Sequence, residues 1–502
     1  MDKITEPKLL SLFGHRLTSW PPAHRLAIEL SETAKLALPM ALIQIGQIVM
    51  MTIDLAFIGR IGPEALAAAA LASRIYLVSF AFATGLLAAI APLVAHGFGA
   101  ANLTVVRRSL RMGLWAAVLL SLPIVVLALC AEQILLALKQ DPHAARLAQQ
   151  YLFGLAWGAA PALWFYAIRT FMGAANRPEP GLWITLAATP VNALLAYLLI
   201  YGKLGLPRLD LLGAGLATSL VNCGTCLAGF WFIKMGRPAR DYHMLAHLWR
   251  FDWPAMRQLI AIGVPLSIGA LITYGLLSAV ALLAGLISTS ALAAHQIAAH
   301  VAMILFMISF AIGSAAAVRV GHAAGRNDRP CIRWAGLAAM LLGIMVASLL
   351  TLAVITARFA IAQFFLGESG GDAETTIRLA TKLLLVGATF FITDAAQSIA
   401  AGALRGLKDT RVPLLFACIA YWPIGFSLSY VLSAKMGLGV VGIWIGLSVG
   451  TAVHAALLVR RFRLLANGRA SNENHRKDPA DTWQLSLQMK PGRGRRRVVE
   501  RP

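Results

Sequence analysis

The sequence predicts an all-α integral membrane protein of twelve spanning helices, arranged as two six-helix lobes related by a parallel internal repeat. Three observations carry that prediction. Hydrophobic residues make up 59% of the 502 residues and charged residues only 13%, with a mean hydropathy of +0.72; a soluble globule of this length needs far more surface charge. Apolar runs long enough to cross a hydrocarbon slab ~30 Å thick recur about a dozen times. The second half of the chain also echoes the first.

Apolar windows read against loop punctuation place helices near 34–58, 65–95, 111–138, 147–172, 181–202 and 211–234, then near 257–286, 290–317, 333–362, 377–404, 412–434 and 439–460. Extended helices satisfy their own backbone groups, as hydrocarbon demands. The reading gives a cytoplasmic N-terminal segment (1–33), an N-lobe (34–235), a cytoplasmic linker (236–256), a C-lobe (257–463) and a basic tail (464–502). The tail ends "GRGRRRVVERP" and reads as disordered, placed to touch the inner leaflet. The first thirty-odd residues hold Pro21-Pro22 and scattered charges, with no apolar core before a cleavage site, so no removed signal peptide is expected.

The net charge of +22 sits in short loops and the tail rather than on one soluble face. That distribution argues for anionic lipid headgroups as partners and against nucleic acid. Basic residues gather in alternate loops: Arg107, Arg108 and Arg111; Arg177; Arg237, Arg240, Arg250 and Arg257; Arg319, Arg326, Arg329 and Arg333; Arg405, Lys408 and Arg411. The other loops hold the acids Glu64, Glu132, Asp141, Asp210, Glu368, Asp372 and Glu374. The positive-inside bias then puts both termini in the cytoplasm. Arg378 and Lys382, on the outer side, are expected to snorkel. Cys223 and Cys226 form a C-x-x-C inside an apolar helix with no second pair, and read as small buried hydrophobes.

The repeat is visible without gaps. A shift of 226 lays "EALAAAALA" (from Glu64) on "SALAAHQIA" (from Ser290), and "VAHGFGA" on "VGHAAGR", with His96 over His322 and Gly99 over Gly325. Six helices repeated as six keep the same membrane orientation, so the two lobes are related by an axis along the membrane normal, with a central cavity between them as the working site.

Polar residues inside the slab are the candidate machinery. Asp394, in "FFITDAAQSIAAGALRG", has Lys382 and Arg405 as its nearest basic neighbours in sequence, each about 17 Å away along a helix. An acid that deep costs several kcal/mol and points to a functional carboxylate facing a wet cavity, with Gln397 one turn on; the bland reading is a structural acid paired with another helix. Asp54 shares a face with Gln47 two turns earlier and lies nearer the outer end, where a simple interfacial acid is the alternative. Asn192 could complete a site with Asp54 or act as packing glue. His295 and His300 read as interfacial hydrogen bonders, and His96 and His322 as caps on their helices' last carbonyls. Arg74 has no account beyond snorkelling. Tyr76, Trp164, Phe165, Tyr166, Tyr274, Phe306, Phe390 and Phe391 could line a pocket for aromatic cations or be core and interface anchors. No G-x-x-x-x-G-K-[ST], H-E-x-x-H or G-x-S-x-G occurs, so ATP drive and membrane-embedded hydrolysis are not expected.

Taken together, "QIVMMTIDLAFIG", "ALAAHQIA", "VRVGHAAG" and "TDAAQSIAAGALRGLKDT" resemble the multidrug and toxic compound extrusion (MATE) family, in its NorM-like branch, over about residues 30–465. The major facilitator motif expected after the second helix is missing. The resemblance implies a MATE-like fold with a V-shaped cleft and no enzyme activity. It implies multidrug efflux by antiport of organic cations against H+ or Na+ in the bacterial inner membrane, with no other cofactor. By position, Asp54, Asn192 and Asp394 match the family's amino-lobe acid, amino-lobe asparagine and carboxy-lobe acid, with Asp394 the Na+ ligand if sodium is used. Two departures weaken a Na+ site and favour protons: Thr273 stands where such members often carry glutamate, and Ala196 where Asn or Asp is common. Export of a lipid-linked or metabolic substrate by the same fold is the alternative, and a monomer is expected.

Overall fold

A computed structural model describes residues 22–205, 207–235, 249–366 and 371–468. The expected tail beyond Gly468, most of the linker, and Arg237, Arg240 and Glu368 lie outside the described residues; the tail's first residues, to Ala466, continue the last helix. Among the described residues, twelve helices are long and apolar enough to cross a membrane. They are α1 (Pro22–Gly59), α2 (Pro63–Gly99), α3 (Leu103–Leu129), α4 (Pro142–Ala174), α5 (Glu179–Tyr201), α6 (Asp210–Met235), α7 (Trp253–Ile287), α8 (Thr289–Gly325), α9 (Arg329–Leu366), α10 (Gly371–Gly406), α11 (Arg411–Lys435) and α12 (Gly439–Ala466). The end carrying the arginine-rich connections is called the basic end below, and the opposite one the far end.

Most helices run further than the apolar windows predict. α1 begins at Pro22 rather than near 34, and α8 continues to Gly325 rather than stopping near 317. Hydropathy sees only the part inside hydrocarbon, whereas "HRLAIELSET" and "RVGHAAG" stay helical beyond it. The starts are set by caps: Asn102 accepts from Val105 N, Asp141 from Ala144 N, Asp252 from Ala255 N and Ser288 from Ala291 N. Past α3 the chain breaks at Cys130 and continues as a short helix, Ala131–Ala137, where a single span to 138 is predicted. α2 is interrupted between Leu87 and Ile90, where Ala89 N and Ala91 N bond three residues back. α11 holds two stretches of wider π turns, Ala420–Phe426 around Pro423 and Val431–Lys435.

Within the lobes the packing repeats: α4 lies against α6 as α10 lies against α12. Ala68, Ala72, Leu152 and Ala217 pack the far half of the N-lobe, and Trp444, Phe390, Phe391 and Leu383 pack the C-lobe. A third apolar cluster straddles both lobes and contains Leu87, Ile90 and Ile168 together with Leu259, Ile312 and Ile399. Outward-facing Trp183, Leu286 and Phe364 are exposed, the surface a bilayer would cover.

The lobes meet by α1 on α8 and α7 on α2, related pairs in the repeat. Residues that the repeat superimposes face one another across the seam. A Cβ on Gly99 would overlap the His322 carbonyl, and one on Gly325 would overlap the His96 carbonyl. Further up, Gly85 lies against the Ser267 backbone, and Ser267 Oγ donates to the Phe82 carbonyl at 2.6 Å. Arg319 Nη2 donates to Glu29 Oε2 at 2.7 Å, and Asp252 Oδ2 accepts from Arg108 Nε at 3.2 Å with Arg111 Nη2 at 3.8 Å. These cross-lobe contacts run from the basic end to about mid-depth.

The predicted capping role of His322 is corrected. His322 Nε2 lies 2.9 Å from the carbonyl oxygen of Ala174, at the end of α4 in the other lobe, and so ties two helices rather than closing its own. The seam generates a test. Gly99→Leu and Gly325→Leu should each lower the unfolding midpoint in detergent, by an amount equivalent to about 1–3 kcal/mol of overpacking. Because both act on one seam, the double variant should cost less than the sum; unchanged midpoints or strict additivity would contradict the reciprocal contact.

Candidate functional site

The candidate side chains fall into two clusters, one in each lobe. In the N-lobe, Asp54 is placed near the far end of α1 and is half-buried. Asn192 of α5, fully buried, donates its Nδ2 to Asp54 Oδ1 at 2.5 Å, and the Thr218 hydroxyl of α6 reaches Oδ2 at 3.4 Å. Three helices thus converge on one carboxylate. The buried Tyr151 of α4 lies within electrostatic range of it. The other amide atom, Asn192 Oδ1, is buried with no hydrogen-bond partner.

In the C-lobe, Asp394 sits about 18 Å along α10 from its basic end and is 9% exposed. Gln397 Nε2 donates to Asp394 Oδ1 at 2.9 Å and lies 3.3 Å from Ser398 Oγ. Tyr421, at the start of the first π stretch of α11, is within electrostatic range of Asp394 and has Thr273 of α7 beside its hydroxyl. The same hydroxyl lies 3.2 Å from His454 Nδ1 of α12. Thr393, next to the acid in sequence, turns instead to Thr451 Oγ1 at 2.7 Å.

Neither carboxylate takes part in an ion pair among the described residues. Each is held by neutral amide or hydroxyl donors, which stabilise the charge without cancelling it. Such an acid can take up and release a cation. A partnering arginine would have fixed it as structural.

The structure joins Asp394 with Gln397, as the helical spacing predicts, and joins Asp54 with Asn192 across two helices, the site reading of Asn192 rather than the packing one. Thr273 enters the C-lobe cluster through Tyr421. Gln47 does not join Asp54: it is exposed, two turns away on a stretch of α1 facing out of the cluster, because shared helical phase does not bring side chains two turns apart into contact. His295 is not interfacial but buried at 2% exposure, against the Trp444 ring at 5.9 Å; the apolar far half of the C-lobe closes over it. Of the proposed aromatic pocket, Phe390 and Phe391 are core packing around Trp444, and Tyr166 carries Arg169 over its ring. Thr218, Tyr151, Tyr421 and His454 went unseen in the sequence. Their signal was a polar tip among apolar neighbours within a spanning stretch. No group of three or more His, Cys, Asp or Glu side chains placed to hold a metal occurs among the described residues.

The MatE family model matches residues 39–198 and 265–431, one segment in each lobe. The chain belongs to the MatE family. Its members are transporters rather than enzymes, and the match covers the helices that carry both acids. A probable multidrug resistance protein NorM from Bradyrhizobium diazoefficiens is 57% identical over 445 residues, covering 89% of this chain and 95% of that protein. One from Rhodopseudomonas palustris is 51% identical over 437 residues, covering 87% and 92%. Among solved structures, a multidrug resistance MATE family transporter in an outward-facing conformation aligns with a TM-score of 0.79 at 17% identity, over 88% of this chain and 96% of that one. A eukaryotic MATE transporter aligns with a TM-score of 0.77 at 20% identity, with the same coverages. At those identities the likeness shows the fold, which is the MatE architecture of two six-helix lobes.

The amide-to-carboxylate bond can be tested directly. Asn192→Leu should lower the unfolding midpoint by the equivalent of roughly 1–3 kcal/mol, the cost of stranding a buried acceptor, whereas Asp54→Leu/Asn192→Leu should lie closer to wild type than Asn192→Leu alone. Simple additivity would remove the bond from the site.

Proposed function

We propose that this MatE protein exports lipophilic organic cations from the cytoplasm of a bacterial cell, driven by H+ or Na+ moving inward. The lobes rock about the seam so that the site opens alternately to either side. The observation that carries the reading is Asp394: a carboxylate deep in a spanning helix whose hydrogen bond comes from the neutral Gln397. A charge kept at that depth is costly, and a cation-exchange role accounts for it. The names of the relatives at 57% and 51% identity, multidrug resistance proteins, point the same way.

In this mechanism the external cation reaches an acid while the far end is open and the basic-end seam is closed. Neutralising the carboxylate lowers the penalty for burying it, so the lobes can exchange conformations. On the cytoplasmic side the ion leaves and the restored charge takes up an organic cation. One charge moved inward supplies ~2.3 kcal/mol per 100 mV, about fiftyfold in concentration ratio. H+ is the favoured coupling ion, since each cluster holds one carboxylate and Thr273 stands where a further acid would strengthen a Na+ site. On the positive-inside bias we assign the basic end to the cytoplasm, with the protein in the inner membrane and both termini inside.

Asp394→Asn should abolish ethidium efflux from cells while leaving expression unchanged; a variant that expresses and pumps at the full rate removes Asp394 from the mechanism. Asp54→Asn should cause a large loss of ion-driven uptake into inverted vesicles. Proteoliposomes given separate Na+ and pH gradients decide the ion: uptake is expected under the pH gradient, and uptake driven by Na+ alone would overturn the proton assignment.

A further inference from the structure

At the basic end, the last turns of the fourth helix of each lobe bring two arginines to one crevice. Arg169 of α4 and Arg405 of α10 both line a cavity of about 90 Å³ between the lobes, together with Tyr166, Gln44, Phe310 and Ser314. Arg169 Nη1 and Arg405 Nε are shut off from solvent and have no hydrogen-bond partner. Each cation rests instead on a ring: the Arg169 Cζ lies 5.2 Å from the Tyr166 centroid, and the Arg405 Cζ 5.3 Å from that of Phe310.

Among the described residues no carboxylate lines this cavity, and three at this end are engaged elsewhere. Glu29 holds Arg319, Asp252 holds Arg108 and Arg111, and Asp409 holds Arg461 at 2.8 Å. Two like charges therefore face a shared desolvated space across a seam that has to close. Stacking on rings lowers the cost of each cation but does not remove their mutual repulsion.

We infer that Arg169 and Arg405 form a binding site for a compact anion, which ties the two lobes together when the basic end is closed. The cavity has room for several water-sized groups, at roughly 10–15 Å³ each. The ligand class is a phosphate-like oxyanion, which a guanidinium fork fits. A free inorganic anion or the phosphate of an anionic lipid could supply it, since both arginines lie at the headgroup level of their helices. When the basic end opens, the arginines part and the anion loses half its partners, so binding favours the closed seam.

The test uses the full-length protein in nanodiscs of zwitterionic lipid, with inorganic phosphate replacing gluconate at fixed ionic strength. Hydrogen exchange is read at the basic ends of α4 and α10, alongside the unfolding midpoint. Phosphate should slow exchange there several-fold and saturably, and raise the midpoint. Arg169→Gln and Arg405→Gln should each weaken the half-saturating concentration by at least about tenfold, while in gluconate their midpoints match or exceed wild type because repulsion is relieved. Arg405→Lys, which keeps the charge and loses the fork, should fall between. A second arm replaces phosphate with anionic lipid. A response through these arginines in either arm sustains the site and names its source. A flat wild-type response in both arms, or one undiminished in both Gln variants, overturns it. Because these readouts need no transport, the outcome is independent of whether the protein is an antiporter.

Discussion

The lobes can close at the basic end only because residues without side chains stand where their backbones cross. Gly99 lies on the His322 carbonyl and Gly325 on the His96 carbonyl, so each lobe presents to the other the feature it receives. That reciprocity follows from the internal repeat, as a two-fold interface between identical chains would. Van der Waals contact, rather than hydrophobic drive, holds helices together in lipid, and close backbone approach is how it is maximised. The ion pairs Glu29–Arg319 and Arg108–Asp252 add polar fastening at the rim of the same seam.

From this seam the placement of the two acids gains its meaning. A closed basic end and shared core to mid-depth leave Asp54 and Asp394 above or at the limit of the contact, each anchored inside its own lobe. Within a lobe the acid is positioned by neighbours on separate helices: Asn192 and Thr218 for Asp54, Tyr421 beside Asp394. A rocking motion would carry these neighbours with the acid as a rigid unit, so the cation would see the same first partners on both sides of the membrane. Ring-stacked arginines at the opposite end belong to the closed surfaces and would separate in such a motion.

Much of this was legible in the sequence because hydrocarbon is a simple filter. Twelve apolar windows found the spans, a gapless shift found the repeat, and depth singled out Asp394 with its partner Gln397 one turn on. The pairing of Asp54 with Asn192, 138 positions apart, was reached through the family resemblance as much as through the residues. Helix ends were misjudged wherever polar residues kept helical geometry beyond the slab, as in α1 before residue 34. Gln47 was misplaced because a face shared along one helix says nothing about which neighbour that face meets. His295 opens its helix and so reads as interfacial in sequence, yet Trp444 from α12 covers it. Tyr421 and His454 escaped notice since their partnership exists only once α11 and α12 pack.

In the proposed antiport cycle, transport requires the seam to open and close. Gln44 Nε2 and Met307 Sδ lie 3.4 Å apart across it, so cysteines at these two positions, with the five native cysteines replaced, can be joined by a short bifunctional thiol reagent. Cross-linked protein in proteoliposomes should bind ethidium but move none across the membrane, with either single-cysteine protein unaffected by the reagent. Full-rate transport through a protein shown to be quantitatively cross-linked would contradict the account.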